Sequence, residues 1–188
     1  MATQSTLEDW VKTQDECPSL EDIALEVISV MHTIPELVGL QIEALQQIPL
    51  GKVRKNATNL HAVCRYKKGV QKANGVGPED VRCVDVHPEA LTSKWMRYTA
   101  FLLFHEYLHA LGFANHDQTF RQMEALWPDK DAKSMGKDFG NFLRMRTAKW
   151  LLECPKCNIS HPRTRRGNGR YRCRTCRVIL VDIPVNTT

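Results

Sequence analysis

The sequence predicts an α+β fold followed by a small metal-stapled ribbon, and three observations predict it. Residues 20–33 carry an apolar stripe of helical period, residues 61–66 and 81–86 alternate with β-branched side chains, and two Cys-x-x-Cys pairs sit among short strand-like segments after residue 150. A chain of 188 residues with 43% hydrophobic and 25% charged residues has an ordinary globular composition. That length suits one domain of ~150 residues plus an appendage, expected here as 1–148 and 149–188 with the boundary near 148–152. The longest apolar stretch, Ala100–Phe104, is five residues, far short of the ~20 that a membrane span needs. No basic segment followed by an apolar one opens the chain, so no secretory signal is read. An intracellular protein is expected, cytoplasmic or nucleoid-associated, or nuclear in a eukaryote.

In chain order, Leu20, Ile23, Ala24, Val27, Ile28, Val30 and Met31 form one helical face. Ser19 is placed to cap that helix, with Asp22 completing a capping box, and Pro35 closes it. From Gln41 to Val86 the pattern is strand-like, and His61–Tyr66 and Val81–Val86 are separated by the turn-rich Asn74–Pro78. A long apolar helix follows, capped by Thr92 or Ser93, running through Leu111 and stopped by Gly112 at the C′ position. A second helix is expected over Asp117–Leu126, ended by Pro128, and a third over Asp138–Lys149.

Seven cysteines in a chain without a secretory signal read as metal ligands before disulfides. Cys154, Cys157, Cys173 and Cys176 have the spacing of two knuckles that close a tetrahedral structural zinc site. Cys17, Cys64 and Cys83 read as small core or surface residues. Charge is segregated. Residues 144–177 hold eleven Lys/Arg against the single acid Glu153, and residues 52–72 hold seven Lys/Arg and no acid. Two such runs favour a polyanionic partner over a merely solvated face. Arg163, Arg165, Arg166, Arg170, Arg172 and Arg174 are the candidate phosphate contacts, and Gly167–Gly169 suggests an exposed, mobile tip between the knuckles. Trp150 and Tyr171 would either stack on unpaired bases or fill the small core of the ribbon.

His105-Glu106-Tyr107-Leu108-His109 is HExxH on the predicted apolar helix. Positions i and i+4 share a face, so both imidazoles can meet one metal, while Glu106 stands beside them free to take a proton from water. An apolar helix has little reason to bury His, Glu and His otherwise. The third ligand is sought downstream. His116 is the first choice, with Gly112 letting the chain turn back, and Asp117 and Glu124 are alternatives. The metzincin spacing would need a histidine at 115, where the chain has Asn115. His87 is expected on a surface turn in preference to lining the cleft, and Tyr98, Tyr107 and Arg121 are each open as stabilisers of an oxyanion.

The segment His105–Phe120, HEYLHALGFANHDQTF, resembles the metal-binding segment of the SprT-like metallopeptidases, the family of the Spartan DNA–protein crosslink proteases. Spartan proteins follow HExxH with HGxxF, and the related WLM peptidases with HDxxF, as in His116-Asp117-Gln118-Thr119-Phe120 here. The resemblance covers residues 92–127 by motif and the C-terminal ribbon by architecture. It implies a zincin-like metallopeptidase core with His105, His109 and His116 on a catalytic zinc, Glu106 as general base and Phe120 packed beneath. With the ribbon, two zinc ions per chain are expected. The function that follows is a monomeric endopeptidase acting on proteins bound or crosslinked to DNA, the DNA being single-stranded or partly unpaired. The competing readings are a non-proteolytic nucleic-acid-binding protein whose two metals are structural, and a general peptidase whose ribbon binds a partner.

Overall fold

In the computed structural model residues 18–72 and 75–185 are described, so Cys17 and the N-terminal segment read for a signal lie outside them. The chain divides into two compact units at residues 137/138. The expected boundary near 148–152 falls ten residues later, because the last helix runs across the division instead of ending before it.

The first unit begins with α1, Leu20–His32. The Ser19 hydroxyl accepts the Asp22 N–H and the Asp22 carboxylate accepts the Ser19 N–H, the reciprocal capping box expected. Leu20, Ile23, Ala24, Val27, Ile28 and Met31 are its buried face. The strand-like reading from Gln41 starts too early, since Glu43–Gln47 is a 3-10 turn that buries Leu45. Strand β1 is Leu50–Lys52, β2 is Ala62–Tyr66 and β3 is Val81–Val86. They form a mixed sheet of order β1-β3-β2, with β1 parallel and β2 antiparallel to β3. Strand β2 is therefore an edge.

Helix α2, Met96–Ala110, packs on α1, β2 and β3 and is buried on nearly all sides. Thr92 and Ser93 do not cap it. Ser93–Trp95 is a 3-10 turn and the Thr92 hydroxyl donates to the Glu89 carbonyl of the preceding turn, while the buried Trp95 takes the cap position without capping the helix through its side chain. A large apolar anchor has displaced a polar cap. The C-terminus follows expectation. Gly112 has φ +103°, its N–H donates to the His109 carbonyl, and the Phe113 N–H donates to the Leu108 carbonyl. That is a Schellman closure, which turns the chain back toward the helix. Helix α3 is Gln118–Glu124, capped by the Asp117 carboxylate on the Phe120 N–H. Helix α4, Met135–Thr147, starts and stops earlier than Asp138–Lys149.

The second unit holds β4, Trp150–Glu153, β5, Ser160–Arg163, and β6, Val181–Pro184, in an antiparallel sheet of order β5-β4-β6. Its small core is Leu152, Leu180 and the cysteines. Among the described residues no helix is long and apolar enough to cross a membrane.

Candidate metal centres

His105 and His109 lie one turn apart on α2, and the Schellman turn at Gly112 with the Asp117-capped start of α3 returns His116 to the same point. The His116 Nε2 is 3.0 Å from the His105 Nε2 and 3.1 Å from the His109 Nε2. Below them Phe120, 1% exposed, sets its ring centroid 4.6–4.8 Å from those of all three imidazoles and stacks on His109.

Two of the rings are locked from behind. The His105 Nδ1 donates to the Glu124 carboxylate at 2.7 Å, and the His109 Nδ1 donates to the Phe113 carbonyl at 2.8 Å. Burial works against charge on Glu124, but hydrogen bonds from His105 and Lys133 outweigh it and hold the carboxyl down at about 2. An ionised carboxylate and a carbonyl can only accept, so both Nδ1 atoms carry the proton. Burial also lowers His109 to about 4, which keeps it neutral near pH 7, and pushes His116 below its ordinary value. The Nε2 atoms of His105 and His109 therefore face inward, that of neutral His109 as a lone pair. The His116 Nε2 lies within 3.1 Å of both, and one proton on it could reach one of them and not both. A cation among the three removes the conflict, so the donor set fits a metal ion.

Asp117 and Glu124 are not part of this cluster. Asp117 is occupied as the α3 cap, and Glu124 meets the far nitrogen of His105 instead of the metal side. Glu106 is 6% exposed, and its Oε2 accepts the Cys64 N–H of edge strand β2 at 2.7 Å. Burial raises its pKa, opposed by His105, the Cys64 N–H and Lys72. Three further groups at the site were not legible in the sequence. The Tyr66 hydroxyl donates to the His109 carbonyl at 2.8 Å, Lys72 lies 4.6 Å from the Tyr66 ring centroid, and Lys133 pairs with Glu124. Tyr66 is 43 residues from His109, and the Lys72–Tyr66 and Lys133–Glu124 pairs follow no helix or strand period, so no local pattern announces them.

Of the three oxyanion candidates, Tyr107 is 1% exposed and Tyr98 is buried with its hydroxyl on the His61 Nδ1, while Arg121 is exposed on α3. His87 is not a surface residue. It is fully buried, accepting the Glu89 N–H at Nδ1 and donating from Nε2 to the Ala57 carbonyl, and so caps the turn over Pro88–Leu91.

In the second unit the four sulfurs of Cys154, Cys157, Cys173 and Cys176 all lie within 4.8 Å of one another. The two knuckles repeat one geometry. The Asn158 N–H donates to the Cys154 carbonyl and the Arg177 N–H to the Cys173 carbonyl, with φ +57° and +60° at Asn158 and Arg177. The N–H of Cys176 pulls the Cys173 thiol down to about 6, whereas the neighbouring sulfurs push Cys176 up to about 12, with Cys157 foremost. Four sulfurs this close could hold a metal ion between them. Arg163, Arg165, Arg166, Arg170, Arg172 and Arg174 are all exposed. The tip between the knuckles is tied down: Gly167 is buried, and the N–H groups of Gly167 and Asn168 donate to the Asp182 carboxylate. The Arg166 guanidinium covers the Trp150 ring at 4.0 Å, and Tyr171 is 51% exposed. Comparison with known proteins finds no family model, no curated protein and no solved structure that matches the chain.

Proposed function

We propose that the chain is a zinc-dependent endopeptidase that acts on proteins bound or crosslinked to DNA. The observation that carries the reading is a buried carboxylate, Glu106, next in sequence to a three-imidazole cluster but taking no part in it. A structural His site gains nothing from such a group, whereas hydrolysis requires a base there. Zinc suits both donor sets. Two nitrogens on a tetrahedral zinc would lie ~3.3 Å apart and two sulfurs ~3.8 Å, against 3.0–3.1 Å for the imidazole contacts and 3.7 Å for Cys157 to Cys173. Imidazole and thiolate are also the ligands this ion prefers.

When bound by His105, His109 and His116, the zinc would supply Lewis acidity toward a water and a peptide carbonyl. The rest falls to the chain's own residues. Glu106 takes the proton of the attacking water, its burial favouring the protonated form that results, and later returns that proton to the leaving amine. The Cys64 N–H fixes one carboxylate oxygen so that the other stays available. The His105 and His109 rings keep their Nε2 lone pairs inward through Glu124 and Phe113. Edge strand β2, whose backbone at Cys64 meets Glu106, offers an extended peptide a strand to pair with beside the site.

For the second half of the proposal, six exposed arginines on a metal-closed scaffold favour phosphate contacts that position without reading sequence. Holding enzyme and substrate on one DNA would then raise their effective concentration and replace a selective peptide pocket. The test is proteolysis of a DNA-binding protein with and without single-stranded DNA, comparing wild type with Glu106→Gln after both are shown to hold two zinc ions. DNA-dependent cleavage lost in the variant is expected. Cleavage indifferent to DNA would leave a general peptidase, and no cleavage by the fully loaded wild type would leave a nucleic-acid-binding protein.

A further inference from the structure

Glu124 is 8% exposed at its side chain, and both of its oxygens are engaged: Oε1 accepts the His105 Nδ1–H and Oε2 meets the Lys133 ammonium. His105, Glu124 and Lys133 come from α2, the last residue of α3 and the 3-10 turn Ala132–Ser134, three separate elements. A carboxylate this enclosed is costly unless each oxygen has a charged or donating partner. Without Lys133 its Oε2 would lose its partner, and the carboxylate could swing away from the imidazole. That change frees the His105 ring to turn and loosens the orientation of its Nε2.

We infer that Lys133 is a positioning residue for the metal centre, acting through Glu124 to hold His105 in the tautomer and orientation that bind metal. This rests on the reading of His105, His109 and His116 as a zinc site. Lys133 pairs with the Glu124 oxygen that faces away from the His105 bond, not with an imidazole. Its role is to keep the Glu124 carboxylate aimed at the His105 Nδ1, and its side chain, 63% exposed, does so from the outer surface. The other locked ligand needs no such partner, because the Schellman turn at Gly112 fixes the Phe113 carbonyl.

The experiment is zinc titration of the full chain against a chromophoric chelator. The four-cysteine site in the same molecule serves as the internal reference. Glu124→Ala should weaken the histidine site by about 10- to 100-fold, the range for loss of a group that orients a ligand. Lys133→Met should weaken it by about three- to tenfold, as expected for one charged partner acting at second hand. Lys133→Arg should restore it, and the cysteine site should keep its affinity in all three. Because Glu124 is buried, Glu124→Gln is the milder control: it keeps an acceptor for His105 without the charge and should fall between Lys133→Met and Glu124→Ala. A Lys133→Met protein whose histidine site binds within twofold of the wild type would overturn the inference alone. A wild type that takes up only the equivalent held by the cysteines would overturn the inference and the metal-site reading beneath it.

Discussion

On the proposed reading Glu106 and His116 are the two residues on which the chemistry turns, and they separate cleanly. Replacing Glu106 by Gln keeps its shape and the capacity of one oxygen to accept the Cys64 N–H, so the fold and both metals should be retained. Loss of the general base should lower cleavage by about 10²- to 10⁴-fold, measured as initial rates on a protein substrate with metal content determined on the same sample. Replacing His116 by Ala acts earlier. It removes the imidazole whose Nε2 lies within 3.1 Å of both others, and metal analysis should find one zinc per chain instead of two. Neither result depends on identifying a natural substrate. The same residue scale shows what local sequence could not supply. HExxH announces two rings, but whether Glu124 or His116 completes them turns on which nitrogen of His105 each one meets, and only coordinates carry that.

At the scale of elements, the turn after α2 does more than end a helix. Gly112 at φ +103° closes the Schellman motif, and the same turn aims the Phe113 carbonyl at the His109 Nδ1. A Cβ on Gly112 would lie 3.0 Å from the Val76 carbonyl as well as forcing a side chain into a left-handed backbone. Gly112→Ala should therefore cost about 1–2 kcal/mol, read as a lower Tm. It should also weaken metal binding at the histidine site, because the turn and the ring lock share one carbonyl. In the ribbon, burial of Gly167 against Leu152 and Tyr171 and its bond to Asp182 explain why a Gly-Asn-Gly sequence that suggests a mobile tip is held down. Gly167 serves close packing there and Gly169 a left-handed turn at φ +70°, and a sequence cannot tell those uses from flexibility. The helix starts differ for a similar reason. Ser19 caps α1 through its reciprocal bonds with Asp22, whereas Trp95 takes the start of α2 because burying its ring outweighs a hydroxyl cap.

For the whole molecule, both centres are closed by groups that must be neutral or deprotonated to serve, so acid should open both. In the metal-free protein His109 is held at about 4, below its ordinary 6.5, and its unfolded counterpart takes up a proton first. Stability is thus lost as pH falls from about 6.5 to 4. Glu124, held at about 2 against an ordinary 4.5, removes a further contribution as pH falls from 4.5 to 2. A thermal-melt series should show Tm decreasing through both windows, and zinc affinity should fall over the first of them because protons compete for the same nitrogens. If the six ribbon arginines contact phosphates, the apparent DNA affinity should fall linearly in log–log form with salt. Replacing Arg165, Arg166 and Arg170 by Ser should flatten that slope by ~2–3, measured by fluorescence anisotropy.

The sequence by itself determined the elements that local chemistry governs. These are the α1 stripe and its capping box, the C′ glycine of α2, the β2 and β3 alternation, and the spacing of His105, His109 and the four cysteines. Each is a rule over a few neighbouring residues, and such rules survive folding because the backbone enforces them. The tertiary structure alone decided what depends on distant partners. It made β2 an edge beside Glu106, put Glu124 and the Phe113 carbonyl behind the imidazoles, and buried His87. It also carried α4 across the division between the two units. Those outcomes follow from which surfaces meet when α2 is buried on nearly every side, and a polar group's role there is set by its neighbour across the core.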